Sequence, residues 1–272
     1  MFVSPDKSPE AQLERAAAWW STSIIDIRPG VIRPRGHPIQ DLIGNISFPQ
    51  MIWLMLRGEL PDPAQARLLE AALVSAVDHG PQAPSIAISR MAVTCGLPLN
   101  GAMASAINAL DDVHGGAGEQ CLGLYQRVKE LMADQPLEAA VETALKEQTE
   151  RAGKMIPGFG HRFHPVDPRA VRLMTLVTEA AARGEVCGDY ATIGAAVEQS
   201  IARRAGRCVP MNIDGATAVV YGELGFAPPL ARGLFILSRS VGILAHAWEE
   251  TQQGRRIKGP MPPELPYRYT GR

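Results

Sequence analysis

No stretch of this sequence approaches the roughly 18 consecutive apolar residues of a membrane span. The longest candidate, "GLFILSRSVGILAHAW" at 233–248, is broken by Arg239. The opening "MFVSPDKSPEAQLERAAAWW" lacks the basic start and apolar core of a secretory signal. Cysteine is scarce: Cys95, Cys121, Cys187 and Cys208 are scattered, with no C-x-x-C pair. That excludes a dense disulfide framework and points to reduced thiols in a cytoplasmic protein. Neither charge sign dominates, since 27 Lys+Arg and 28 Asp+Glu leave a net charge of −1. A nucleic-acid or anionic-membrane partner is therefore not expected. Walker-type phosphate loops and G-x-S-x-G are also missing, which removes two common classes of chemistry.

Period-2 alternation is almost absent as well. Apolar spacing is helical nearly everywhere, as in 63–80, where Leu68, Leu69, Ala72, Leu73, Ala76 and Val77 form one stripe. Pro63 suits the first turn of that helix and Gly80 its end. Similar patterns occupy 11–20, 47–58, 99–113, 117–134, 136–154, 167–184, 189–206, 213–225 and 228–254. Only "STSIIDIRPGVIRPRGHPI" at 21–39 clusters β-branched residues with Gly-Pro turns, which predicts a small hairpin in an otherwise all-α fold. The Pro-rich ending 252–272 reads either as a frayed tail or, through Leu265, Tyr267 and Tyr269, as a segment lying against something.

The chemistry-bearing residues cluster in "IPGFGHRFHPVDPR" at 156–169. It is a polar surface turn, or a rigid loop presenting His161 and Arg169 to a ligand. Four of the six histidines adjoin glycine (His37, His79, His114 and His161), which lets backbone or ligand approach the ring closely. His161, His164 and Asp167 offer metal-ligand types at short spacing. Pro165 and Pro168, however, deny them a regular helix, and no second cluster supplies further ligands. Asp214 in "VPMNIDGATAVVYG" precedes a strongly apolar helix. It reads as an N-cap, or as a desolvated carboxylate tuned toward general-base work.

The ordered set of motifs resembles the citrate synthase superfamily. Gly158-Phe159-Gly160-His161-Arg162 is followed by Asp167-Pro168-Arg169, and His114 to Ala117 form the upstream H-G-G-A. P-x-N-x-D stands at Pro210 to Asp214, S-R-x-x-G at Ser238 to Gly242, and Asp78-His79 closes an earlier helix. These landmarks cover about residues 70–250.

The resemblance implies an all-α fold with a large helical domain (1–117 and 226–272), an inserted small helical domain (118–225), and an active site in the cleft. It implies three catalytic residues. Asp214 moves a proton on the acetyl-CoA methyl carbon, His114 stabilises the enol, and His161 works on the oxygen of the oxo acid. His79, Arg169, Arg239 and a C-terminal cation, Lys258 or one of Arg255 and Arg256, would bind the dicarboxylate. Pro157, Gly158, Phe159, Gly160 and Arg207 would lie along coenzyme A, whereas Arg203 and Arg204 could face its phosphates or simply be solvated. His164 has no role in the family pattern. No metal is implied. The implied partners are an acyl-CoA and an oxo-dicarboxylate, with a homodimer or higher oligomer sharing active sites.

Gly118 replaces the family's usual Asn, the chain is short, and "VDHGP", "NIDG" and "SRSVGILAH" with His246 are similar to citryl-CoA lyases. That group includes the stand-alone enzyme and the C-terminal module of ATP-citrate lyase. The expected reaction is citryl-CoA cleavage to acetyl-CoA and oxaloacetate. The alternatives are condensation of the citrate synthase or 2-methylcitrate synthase type, and a catalytically silent CoA- or dicarboxylate-binding relative.

Overall fold

The computed structural model of the protein describes residues 8–161, 165–257, 264–265 and 268–271. Among them are twelve α-helices and one two-stranded antiparallel sheet, the all-α architecture expected from the apolar periodicity. The chain divides into two compact units, 1–66 and 67–272, which the apolar pattern did not reveal.

The first unit begins with α1 (Pro9–Trp19), capped by the Ser8 hydroxyl and burying none of its residues. The hairpin follows as β1 (Ile25–Arg28) and β2 (Val31–Pro34), with Ile27 opposite Ile32. Its Pro29-Gly30 turn needs the positive φ of Gly30, +76°. After the short α2 (Ile39–Leu42) comes α3 (Phe48–Arg57), started by a reciprocal Ser47–Gln50 capping box and stopped by left-handed Gly58. The Arg35 guanidinium donates twice to the Met55 carbonyl, at 3.0 and 2.7 Å, tying the hairpin to α3.

Helix α4 (Pro63–Ser75) stops earlier than the sequence stripe suggests. Beyond it the carbonyls of Ala76 and Val77 do not continue the helix ladder but accept hydrogen bonds from a distant helix. The second unit continues with α5 (Pro84–Thr94), α6 (Leu99–Ile107), α7 (Ala117–Leu131) and α8 (Leu137–Ala152). Then come α9 (Pro168–Ala182), α10 (Asp189–Ala205), α11 (Ile213–Glu223) and α12 (Pro228–Gln253).

Helix α11 is the centre of this unit: every residue from Gly215 to Gly222 is buried, with α7, α9 and α10 packed around it. A helix apolar on all sides has no solvent face to offer and must be enclosed. A second cluster joins Ala83, Ile86, Ala106, Leu110 and Ile243, binding α5, α6 and α12.

Candidate active site

Two backbone seams build the site. The first joins loop 156–161 to the segment entering α11. Gly160 N–H donates to Pro210 O at 2.8 Å, Asn212 N–H to Gly158 O at 3.0 Å, and the Asn212 amide to Gly160 O at 2.7 Å. Phe159 pairs antiparallel with Met211. The Asn212 side-chain oxygen also caps α11 through the N–H groups of Asp214 and Gly215. Asp214 is therefore in the first turn of α11, not its cap: Asn212 takes the capping role that local sequence suggested for Asp214. Two glycines let the seam close. A Cβ on Gly158 (φ +86°) would stand 2.5 Å from Cys121 Sγ, and one on Gly215 would stand 2.4 Å from Gly158 O.

The second seam joins α12 to the chain leaving α4. The Ser238 hydroxyl donates to Leu73 O, Arg239 Nε to Ala76 O at 3.1 Å, and Gly242 N–H to Val77 O at 3.1 Å. A Cβ on Gly242 would meet Val77 O at 2.2 Å, which explains the glycine of S-R-x-x-G. The seam buries Arg239 to 6% exposure, with its guanidinium 4.9 Å from the Phe235 ring, and sets His79 in the turn that follows.

His114 sits in the Asp111–Gly116 turn, where Asp111 N–H donates to the His114 carbonyl and Gly115 takes φ +105°. Arg232 of α12 clamps this turn by pairing with Asp111, Asp112 and Glu119. The His114 ring is oriented by Ser85, which the sequence reading missed. The Ser85 backbone N–H donates to His114 Nε2 at 3.1 Å, and the Ser85 hydroxyl lies 3.0 Å from the same atom. An Nε2 that accepts must leave its proton on Nδ1.

These seams bring the sequence-selected residues together. The rings of His79 and His161 meet edge to face with centroids 5.5 Å apart. Burial, then the charges of Arg169, Arg239 and His161, push the His79 pKa below the ordinary histidine value. Burial and Arg239 do the same to His114, so both rings favour the neutral form. Burial raises the Asp214 carboxyl above the usual aspartate range, although Arg239 and Arg169 pull the other way. Asp167 is a positioning group: it caps α9 and accepts the Ile213 N–H at 3.1 Å. It also grips Arg169 with two bonds, Nε at 3.0 Å and Nη2 at 2.8 Å. Burial opposes its ionisation, but these donors outweigh burial and hold its carboxyl below the usual range. Both Asp167 oxygens thus accept from donors of the protein itself.

Beside His161 opens a cavity of about 930 Å³, lined among others by Lys154, Phe159, Gly160, Arg207 and Cys208. Pro157 and Gly158 belong to the same loop. Arg203 and Arg204 pair with Glu142 of α8. Lys258, His164 and Arg162 lie outside the described residues.

The profile described as "Citrate synthase, C-terminal domain" matches residues 55–260. The chain belongs to the citrate synthase family. A citrate synthase of Haloferax volcanii is 33% identical over 222 residues, 80% of this chain and 53% of that one. The chain spans about half the length of such curated relatives. The solved citryl-CoA lyase of Hydrogenobacter thermophilus is 35% identical, with a TM-score of 0.81 over 93% of this chain and 95% of that one. The ATP citrate lyase of Methanothrix soehngenii, solved with citrate and coenzyme A, shares the fold at 20% identity and TM-score 0.78, covering all of this chain and 46% of that one.

Proposed function

We propose that the protein catalyses reversible Claisen chemistry on an acyl-CoA, cleaving citryl-CoA to acetyl-CoA and oxaloacetate. One observation carries this reading. Two histidines whose neutral form burial favours, and a carboxyl of raised pKa, converge beside two arginines, the equipment for carbanion chemistry on a dicarboxylate. His161 takes the proton of the citryl hydroxyl while the adjoining C–C bond breaks and the oxygen becomes the ketone of oxaloacetate. The bonding pair passes to the acetyl-CoA fragment as an enolate. Its oxygen is met by the Nδ1–H of His114, which Ser85 aims. Asp214, whose protonated form burial favours, returns the proton to carbon. Run backward, the same groups condense acetyl-CoA with oxaloacetate.

Arg169, Arg239, His79 and a C-terminal cation such as Lys258 bind the carboxylates, and coenzyme A enters the 930 Å³ cavity past Pro157 to Gly160 toward Arg207. The cleft lies between 118–225 and the domain made of 1–117 with 226–272. A second copy covers the apolar stripe of α12, where Leu237, Val241, Leu244 and Trp248 are exposed at i, i+4, i+7 and i+11. Val241→Glu should then shift the protein to monomer in sedimentation velocity, and an unchanged oligomer would locate the interface elsewhere.

The nearly full-length likeness to a citryl-CoA lyase favours cleavage. The second reading is a citrate synthase, favoured by the 33% identity to the Haloferax protein. Incubation with citryl-CoA separates them. Acetyl-CoA plus oxaloacetate marks a lyase, whereas free CoA plus citrate above the uncatalysed rate marks a synthase. Untouched citryl-CoA would overturn both.

A further inference from the structure

Resting on that reading, we propose that His246 is a positioning residue for substrate binding, acting through Asp78 on the turn that carries His79. His246 stands on α12 one turn beyond the second seam. Its Nδ1 lies 3.1 Å from Arg90 Nη1. Arginine has only donors, so Nδ1 accepts and the ring proton is on Nε2. Nε2 faces the Asp78 carboxylate, 3.3 Å from Oδ1 and 3.4 Å from Oδ2. Oδ1 is buried and makes no hydrogen bond among the described residues, so the His246 ring beside it is its polar neighbour. Oδ2 accepts the Gly80 N–H at 3.1 Å, so the same carboxylate folds the turn around His79. The turn's glycine, Gly80, sits at φ +80°.

The histidine is itself fixed from the far side. Arg90 pairs with Glu249 at 2.6 Å and with Glu250 at 2.9 Å, and buried Glu250 also receives Arg255. Glu249 lies 4.0 Å from His246 Nδ1. A polar chain thus runs from Arg255, where the C-terminal segment leaves α12, through Glu250, Arg90, His246 and Asp78 to the turn of His79. Arg239 and Gly242, two turns and one turn earlier on α12, hold the carbonyls of Ala76 and Val77. His246 completes the seam by holding the side chain next in line. Its loss frees the one segment that places His79 against His161, whereas loop 156–161 and the cavity beside it are fixed by separate contacts. The effect therefore falls on the oxo acid and spares the acyl-CoA.

The test compares wild type, His246→Leu and His246→Gln in the condensing direction, because glutamine can both accept from Arg90 and donate to Asp78. His246→Leu should raise KM for oxaloacetate at least tenfold and leave KM for acetyl-CoA within twofold. His246→Gln should stay within threefold of wild type for both. A uniform loss, or a His246→Leu KM for oxaloacetate within twofold of wild type, would overturn the proposal. A second readout needs no turnover: the Cε1–Hε1 resonance of His79 followed against pH. In His246→Leu its titration should move up toward that of an ordinary histidine, and in His246→Gln it should not. An unmoved resonance overturns the positioning role. Wild type inert toward acetyl-CoA with oxaloacetate and toward citryl-CoA would overturn the proposed function while the resonance still decides this inference.

Discussion

Asp214 and His161 owe their juxtaposition to main chain: carbonyls and N–H groups of 158–160 lock onto 210–212, with the Asn212 side chain closing the seam. Arg239 and His79 are placed by one helix, α12, whose Ser238 and Arg239 side chains and Gly242 N–H reach carbonyls at the end of α4 and just beyond it. The acid–base half therefore depends on the absence of side-chain bulk at Gly158 and Gly215, and the cation half on side chains spaced along α12 together with the bare Gly242. Damage to the first should remove chemistry, and damage to the second should weaken binding.

The largest effect should come from Gly215→Ala. Its methyl would meet Gly158 O at 2.4 Å in a buried seam, where neither backbone can yield cheaply. Turnover of citryl-CoA should fall below detection, with a stability loss of about 1–3 kcal/mol by thermal unfolding. A variant of near-normal kcat would mean the seam does not set the acid–base geometry. Gly242→Ala attacks the other half, 2.2 Å from Val77 O and 2.9 Å from Asp78 Oδ1. It should raise KM for oxaloacetate roughly tenfold or more while changing kcat less, since displacement of a binding group by about an ångström is costly. An equal loss in kcat would erase the distinction between the halves.

pH sharpens the comparison. Cleavage needs Asp214 protonated, so its rate should fall as pH rises through the raised pKa of that carboxyl. Condensation starts from the ionised carboxylate with the proton on His161, the same number of protons, so its kcat/KM should follow pH in step with cleavage. Cleavage that shows no fall at high pH would exclude Asp214 as the acid. The smallest effect is expected from Ser85→Ala. The hydroxyl contact to His114 is lost, but the backbone N–H that sets the tautomer remains, so kcat should drop less than about tenfold. A hundredfold loss would assign the hydroxyl a larger part than orientation.

Much of this site could be read in the sequence because family motifs mark its backbone exceptions. Gly158, Gly160, Gly215 and Gly242 stand where a Cβ or an ordinary φ fails, and His161, Asp214 and Arg239 lie within three residues of one of them. Helix α5 escaped because its buried face is Ser85, Ile86, Ser89 and Thr94, too polar for an apolar stripe, and Ser85 escaped with it. The early end of α4 was hidden because Ala76 and Val77 continue the apolar period, and only the donors on α12 break the helix there. The Asp167–Arg169 grip and the diversion of Arg203 and Arg204 to Glu142 are side-chain choices that spacing does not encode.

The most direct test is single-turnover cleavage of citryl-CoA by wild type and Asp214→Asn, with binding measured calorimetrically in parallel. Asparagine keeps the shape, removes a buried group that resists ionising, and cannot deliver the proton. The account predicts binding within threefold, an unfolding temperature at neutral pH equal to or above wild type, and cleavage slowed by about 10²–10⁴-fold. Cleavage at the wild-type rate would contradict it.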